Sequence, residues 1–218
     1  EITTRLVGSE MCIRDSLTTG SAIYFMKHVL RNGSLLGLFS MMKMFPVIIA
    51  LIFTPILVKK TGSMQKVNFW GYVISDILGI FLIIFAMQKN LPMMLLFMFL
   101  KGTFAGTMSG TLNALIAEIS GYTYRTKGVH IDGMMFSCSS LGVKVGGGIG
   151  TAAVGWLLHA AGYAGKAATQ TAAATNMIFS MYITIPVILG VVITILLGLM
   201  KVEKENKRID MERAEQAD

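Results

Sequence analysis

Apolar residues run along this chain in long continuous stretches, not in alternation with polar ones. Five stretches cover 35–58, 67–87, 93–117, 133–159 and 176–200. The hydrocarbon of a bilayer is ~30 Å thick and takes about 20 apolar residues to cross as a helix. Each stretch meets that length. Barrel strands would be about 10 residues long with a period of two, so the pattern predicts helices. A sixth stretch, 17–30, is apolar but short, and predicts the surviving part of a truncated span. Short connections with turn chemistry separate the stretches: 31–34 (RNGS), 59–66 (KKTGSMQK), 88–92 (QKNLP), 118–132 and 160–175. The expectation is an all-α membrane protein, with a transmembrane bundle over 17–200. A charged tail follows over 201–218, and its Glu203/Lys207 and Lys204/Arg208 spacings suit a solvated helix.

Residues 1–16, EITTRLVGSEMCIRDS, differ from all that follows: they are polar and aperiodic. VGSEMCIRDS resembles a translated sequencing adapter, and the segment lacks the apolar core of a signal peptide. It reads as non-native and is set aside from the fold expectation. Composition supports the membrane class. Of 218 residues, 54% are hydrophobic and only 14% charged, against roughly 25% charged in a soluble domain. The 23 glycines follow no Gly-X-Y period, which excludes collagen. Cys12 and Cys138 lie too far apart in sequence to define a disulfide scaffold or a cysteine zinc site.

Beyond residues 1–16 the chain carries 17 Lys and Arg against 9 Asp and Glu, and this balance of +8 is a topology signal. One side of the predicted bundle carries Lys59, Lys60, Lys66, Arg125, Lys127, Lys201, Lys204, Lys207, Arg208 and Arg213. The other carries Lys27, Arg31, Lys89 and Lys166. The positive-inside rule therefore places 59–66, 118–132 and the C-terminus in the cytoplasm. Nucleic acid is excluded as a partner, because the basic residues are split among separate loops with no interleaved aromatics.

A charge at the bilayer centre costs on the order of 2.5–3.5 kcal/mol, so four intramembrane residues stand out: Lys43, Asp76, Lys101 and Lys144. Lys144 lies eleven residues into its stretch, hence ~16 Å deep at 1.5 Å per residue. Ser137, Ser140, Lys144, Gly148 and Thr151 recur at three or four residues and form one polar stripe. Two readings follow: a cavity-lining lysine that binds a polar solute, or a structural ion pair between helices. Lys43 and Asp76 lie at compatible depths, ~12 and ~16 Å, which suggests a structural pair. Lys101, ~12 Å from the boundary, is within snorkelling reach.

Gly142, Gly146 and Gly150 recur every four residues, a face that admits a closely packed helix. The 93–117 span has a similar small, polar side with Gly102, Gly106, Ser109, Gly110 and Asn113. Together the two read either as walls of a solute path or as tight packing alone. GGGIG follows no strand and lacks a phosphate-loop ending. His28, His130 and His159 have no metal-ligand spacing, and no serine nucleophile elbow is present.

The polar segment 118–132 carries a further signal. Ala117-Glu118, Tyr122, Thr126-Lys127-Gly128, Asp132-Gly133, Phe136-Ser137, and Lys144 followed by Gly146 resemble the glycoside–pentoside–hexuronide:cation symporters of the major facilitator superfamily. Supporting matches are Tyr24-Phe25, Pro55 with Leu57-Val58-Lys59, Gly162-Tyr163, Gln170 and Pro186. Gly121, Tyr124, Lys127 and His130 depart from the family pattern. The resemblance covers 17–200 and implies the C-terminal six-helix bundle of a major facilitator fold, its first helix truncated. It implies secondary transport of a sugar or glycoside by alternating access in the inner (plasma) membrane, with no enzymatic activity. Lys144 would stand at the central cavity with Ser137 and Ser140 lining the approach. Glu118, Tyr122, Arg125 and Asp132 would form a cytoplasmic gate. No cofactor and no metal site is expected in this half. The coupling cation, Na⁺ or H⁺, would bind in a missing N-terminal six-helix half. That half, the lipid bilayer and the sugar are the expected partners. A non-transporting membrane scaffold or assembly subunit, a carrier for another polar solute, and a membrane-embedded enzyme are the alternatives. The last lacks any recognisable catalytic cluster.

Overall fold

The computed structural model describes residues 2–129, 131–167 and 169–200, together with Glu203, Glu205, Asn206, Arg208, Ile209 and Met211. His130, Lys201, Lys204, Lys207 and Arg213, which entered the sequence reading, lie outside the described residues. All regular structure among the described residues is helical. In chain order the α-helices are α1 Ile2–Tyr24, α2 Leu35–Thr61, α3 Met64–Met87, α4 Leu91–Ala105, α5 Thr107–Lys127, α6 Asp132–Ala160, α7 Ala172–Phe179 and α8 Ile185–Leu199. A π-helical turn, Phe25–Val29, prolongs α1, and another, Ser180–Thr184, joins α7 to α8.

Five helical stretches among the described residues are long and apolar enough to cross a membrane: Leu35–Thr61, Met64–Met87, Leu91–Thr126, Asp132–Ala160 and Ala172–Leu199. They correspond to the five apolar runs. Two expectations change. Residues 2–16, set aside above, are helical and continuous with 17–24, so the short sixth stretch is the C-terminal end of α1 together with the π-helical turn that prolongs it. The 93–117 run divides at Gly106 into α4 and α5, and α5 then continues to Lys127. Residues 118–127, expected as connection, are therefore helix. Polarity marks where a chain leaves lipid, not where its helix ends. Here Ile116 and Ile119 stay buried against Met135 of α6, and that packing carries the helix onward. Gly128 stops it with φ 69°, a left-handed C-cap whose N–H donates to the Tyr124 carbonyl at 2.8 Å.

The helix starts follow their caps. Ser63 accepts from the Lys66 N–H at 3.2 Å to open α3, and Thr171 accepts from the Ala174 N–H at 3.2 Å to open α7. α1 packs against α6 and α8, α3 against α4 and α8, and α2 against α4 and α5. The core has two main clusters. Phe25, Phe39, Leu82, Met94, Met181 and Tyr182 fill one, with the Phe25 and Tyr182 rings stacked at 4.5 Å. Tyr72, Met108, Leu115, Ile193 and Leu197 fill the other.

Close approach comes from glycine. A Cβ at Gly146 would stand 2.7 Å from the Ser9 carbonyl oxygen, and one at Gly150 would stand 2.6 Å from that of Ile13. The four-residue glycine face thus receives α1 at Gly146 and Gly150, although a Cβ at Gly142 would meet nothing within 4 Å among the described residues. The outer surface is apolar. Trp70, Ile74, Ile77, Phe81 and Ile84 form an exposed stripe on α3, and Ile188, Val191, Val192 and Ile195 form one on α8. Stripes of this extent suit contact with lipid chains rather than water.

Candidate functional site

On α6 the glycine face and the polar stripe point in opposite directions. Gly146 and Gly150 are buried on α1, whereas Ser137, Ser140, Lys144, Gly148 and Thr151 are all exposed. The Thr151 hydroxyl donates to the Gly147 carbonyl at 2.9 Å, which satisfies it within its own helix. The Lys144 ammonium has no ion-pair or hydrogen-bond partner among the described residues. A bare ammonium in the middle of a 29-residue helix is costly against lipid. This face of α6 therefore belongs against water or protein. Ser109 and Asn113 of α5 are likewise exposed, while Gly102, Gly106 and Gly110 are taken up by contact with Pro46, Ala50 and Leu51 of α2. The small and polar side of 93–117 thus splits: its glycines pack, and its polar groups remain open.

The other intramembrane charges gather inside the bundle. A cavity of about 140 Å³ is lined by Arg14, Asp15, Lys43, Lys101, Ser109 and Tyr182, among others. Arg14 pairs with Asp15 at 3.5 Å, and its guanidinium carbon lies 5.6 Å from the centre of the Tyr72 ring. Lys43 turns to α1, where its ammonium donates to Thr19 Oγ1 at 2.8 Å and to the Asp15 carbonyl at 3.5 Å. Asp76 turns to α8. Its Oδ2 accepts from the Thr194 hydroxyl at 2.5 Å, and its Oδ1 is buried with no hydrogen-bond partner among the described residues. Gly190 makes room for it, since a Cβ there would stand 2.5 Å from Asp76 Oδ1.

The expected Lys43–Asp76 pair is therefore not formed. Depth along the helices matched, but direction around them did not: Lys43 meets α1 and Asp76 meets α8. Lys101 likewise does not snorkel to the boundary. It is half-buried and lines the cavity, with its Cε 3.5 Å from where a Gly79 Cβ would lie. Arg14 and Asp15 lie in the segment set aside in the sequence reading, and both line this cavity.

At the tail end of the bundle, Glu118, Tyr122 and Arg125 follow one another at four and three residues along α5 and share a face, all half-buried. Asp132 opens α6 across the intervening connection and is exposed. The structure adds contacts that sequence could not show. Glu203 accepts from the Ser63 hydroxyl at 2.8 Å and from the Gln65 N–H at 2.9 Å, which places a carboxylate at the N-terminus of α3. Asn206 donates to the Glu118 carbonyl at 3.0 Å. Gln65 donates to the Leu197 carbonyl at 3.0 Å and also to that of Met200. Ser63 announces itself as a cap in sequence, but nothing local announces its partner 140 residues on.

The family model described as MFS/sugar transport protein matches residues 12–204. The chain belongs to this family. It is a multi-pass membrane protein of a transporter family, not an enzyme family, and the resemblance carried by 117–146 is borne out. Among its relatives is the isoprimeverose transporter of Lactiplantibacillus pentosus, 27% identical over 182 residues, which cover 84% of this chain and 37% of that protein. The putative glycoside/cation symporter YagG of Escherichia coli (strain K12) is 24% identical over 205 residues, 91% of this chain and 44% of the other. An uncharacterized 29.9 kDa protein in the crtE 3′ region of Pseudescherichia vulneris is 27% identical over 132 residues, 60% of this chain and 48% of the other. The chain thus spans less than half the length of the relatives it matches. Within this MFS/sugar transport chain, the α6 stripe, the α5 end and the Asp76–Thr194 contact all lie inside the matched residues.

Proposed function

We propose that the chain forms one of the two helical bundles of a sugar:cation symporter that works by alternating access. The observation that carries this reading is Lys144: an intramembrane ammonium on an exposed polar face, in a chain of the MFS/sugar transport family. In carriers of this superfamily the substrate site lies near the midplane between two bundles. The stripe of Ser137, Ser140 and Lys144 offers hydroxyls and a charged donor to sugar hydroxyls from one wall of such a site. The opposite bundle supplies the second wall and the carboxylates for the coupling cation, Na⁺ or H⁺. Glu118, Tyr122, Arg125 and Asp132 act at the cytoplasmic gate, where charge pairs break and form as the bundles rock. Glycosides are the substrate class, in keeping with the relatives named for isoprimeverose and glycoside transport.

Sugar binding tests this directly. The chain is co-expressed with its complementary half, and radiolabelled isoprimeverose and a panel of glycosides are titrated onto membranes. We expect saturable binding of at least one glycoside, lost tenfold or more in Lys144→Met at equal expression. Binding unchanged in Lys144→Met would make the lysine structural. Binding of no glycoside would favour a carrier for another solute or a non-transporting scaffold.

A further inference from the structure

The end of the bundle opposite the tail carries charge of one sign only. Its connections, 25–34, 88–90 and 161–171, contain Lys27, Arg31, Lys89 and Lys166 and not one aspartate or glutamate. Three of these cations share a concavity. A cavity of about 420 Å³ is lined by Lys27, His28, Arg31 and Lys89 on one side and by Gln170 and Thr175 on the other. None of the three pairs with a carboxylate among the described residues.

The walls of this cavity are built. Arg31 and Lys89 both adopt left-handed backbone, φ 54° and 53°, a region that residues other than glycine, asparagine and aspartate rarely occupy. Neighbouring hydrogen bonds hold them there: Asn32 N–H donates to the Met26 carbonyl at 2.9 Å, and Lys89 N–H to the Ala86 carbonyl at 3.1 Å. On the far wall, the Gln170 amide accepts from Ala164 N–H at 3.1 Å and donates to the Ala164 and Ala167 carbonyls at 2.7 and 3.3 Å. The His28 ring and the Tyr163 hydroxyl share a hydrogen bond of 3.2 Å, which ties the two walls together.

Cations that merely snorkel have no reason to converge, since their mutual repulsion opposes it. Cations gathered without counter-charge around one hollow focus a positive potential into it. We propose that this vestibule binds a phosphate group. Three cations reaching in from two separate connections suit a tetrahedral anion, whose several oxygens can meet them at once. A planar carboxylate offers only two oxygens. The cavity also stands at the helix ends, where phospholipid headgroups lie. The phosphate therefore comes either from an anionic lipid or from a soluble phosphate, and the test separates the two. The inference does not depend on which solute the protein carries.

The chain is purified in neutral detergent, and three probes are applied: phosphatidylglycerol, phosphatidylcholine and inorganic phosphate. Lipid adducts are counted by native mass spectrometry, and phosphate binding is measured by calorimetry. We expect phosphatidylglycerol to bind at least tenfold more tightly than phosphatidylcholine, whose choline neutralises its phosphate. We expect the double variant Arg31→Gln/Lys89→Gln to lose that preference. Lys166→Gln, on the same end but outside the cavity, should stay within twofold of the unmodified chain. Should the double variant fail to insert, Lys27→Gln alone is read, with a threefold or greater loss expected. If inorganic phosphate binds with the same variant pattern and displaces the lipid, the site takes soluble phosphate as well; if it does not, the ligand is the headgroup. Binding of neither anionic probe, or equal weakening by Lys166→Gln, would overturn the proposal.

Discussion

Asp76 is the residue whose environment is most sharply defined. One oxygen is held by Thr194, and the other is buried against Gly190 with no partner among the described residues. Removing a hydrogen-bond partner from a buried polar group costs about 1–3 kcal/mol. We expect Thr194→Val to lower stability by that amount and Thr194→Ser to leave it nearly unchanged, as read by thermal unfolding in detergent. A Val variant as stable as the parent would show that the contact contributes little. Gly190→Ala should destabilise by about 1–3 kcal/mol as well, through overpacking against the carboxylate. Sequence showed that Asp76 must be satisfied but named the wrong partner. Depth follows from counting residues, whereas the direction a side chain takes around its helix depends on which neighbours pack there. Lys144 shows the converse. Its stripe was legible because residues at three- and four-residue spacing share a face whatever the neighbours are.

At the scale of elements, the five long spans were legible because lipid demands continuous apolar length, and that demand leaves an unambiguous trace. The glycine face of α6 was legible too, and the structure gives it α1 as its partner. Gly150→Leu should separate the two helices, since the added side chain would begin 2.6 Å from the Ile13 carbonyl oxygen. Cysteine cross-linking between Ser9 and Gly146 would register the separation as lost yield, and undiminished yield would contradict the packing. Two features stayed hidden. The continuation of α5 to Lys127 was masked because polarity changes at the membrane surface while the helix does not stop there. The capping of α3 by Glu203 joins residues 140 apart, and no local pattern encodes it. Glu203→Ala removes the acceptor of two hydrogen bonds and a charge favourably placed at a helix N-terminus. It should cost about 1–2 kcal/mol, read as a lower unfolding temperature; no shift would mean that the tail contributes nothing to the fold.

For the whole molecule, the distribution of Lys and Arg fixes the expected orientation: ten on the tail side, four on the other. Labelling single cysteines at positions 166 and 206 in intact cells checks it. Position 166 should react with an impermeant reagent and position 206 should not; the reverse pattern would invert the topology and place the basic vestibule in the cytoplasm. The same scale bears on transport itself. A face of α6 whose lysine has no partner among the described residues needs water or protein over it, and alternating access needs a second bundle to rock against. Gradient-driven glycoside uptake into proteoliposomes therefore tests the account most directly, with the chain reconstituted alone, with its complementary half, and as Lys144→Met with that half. The account predicts uptake driven by an imposed Na⁺ or H⁺ gradient only for the paired chains, reduced at least tenfold, or about 1.4 kcal/mol, by Lys144→Met. Uptake by this chain alone, or full uptake by the paired Lys144→Met variant, would contradict it.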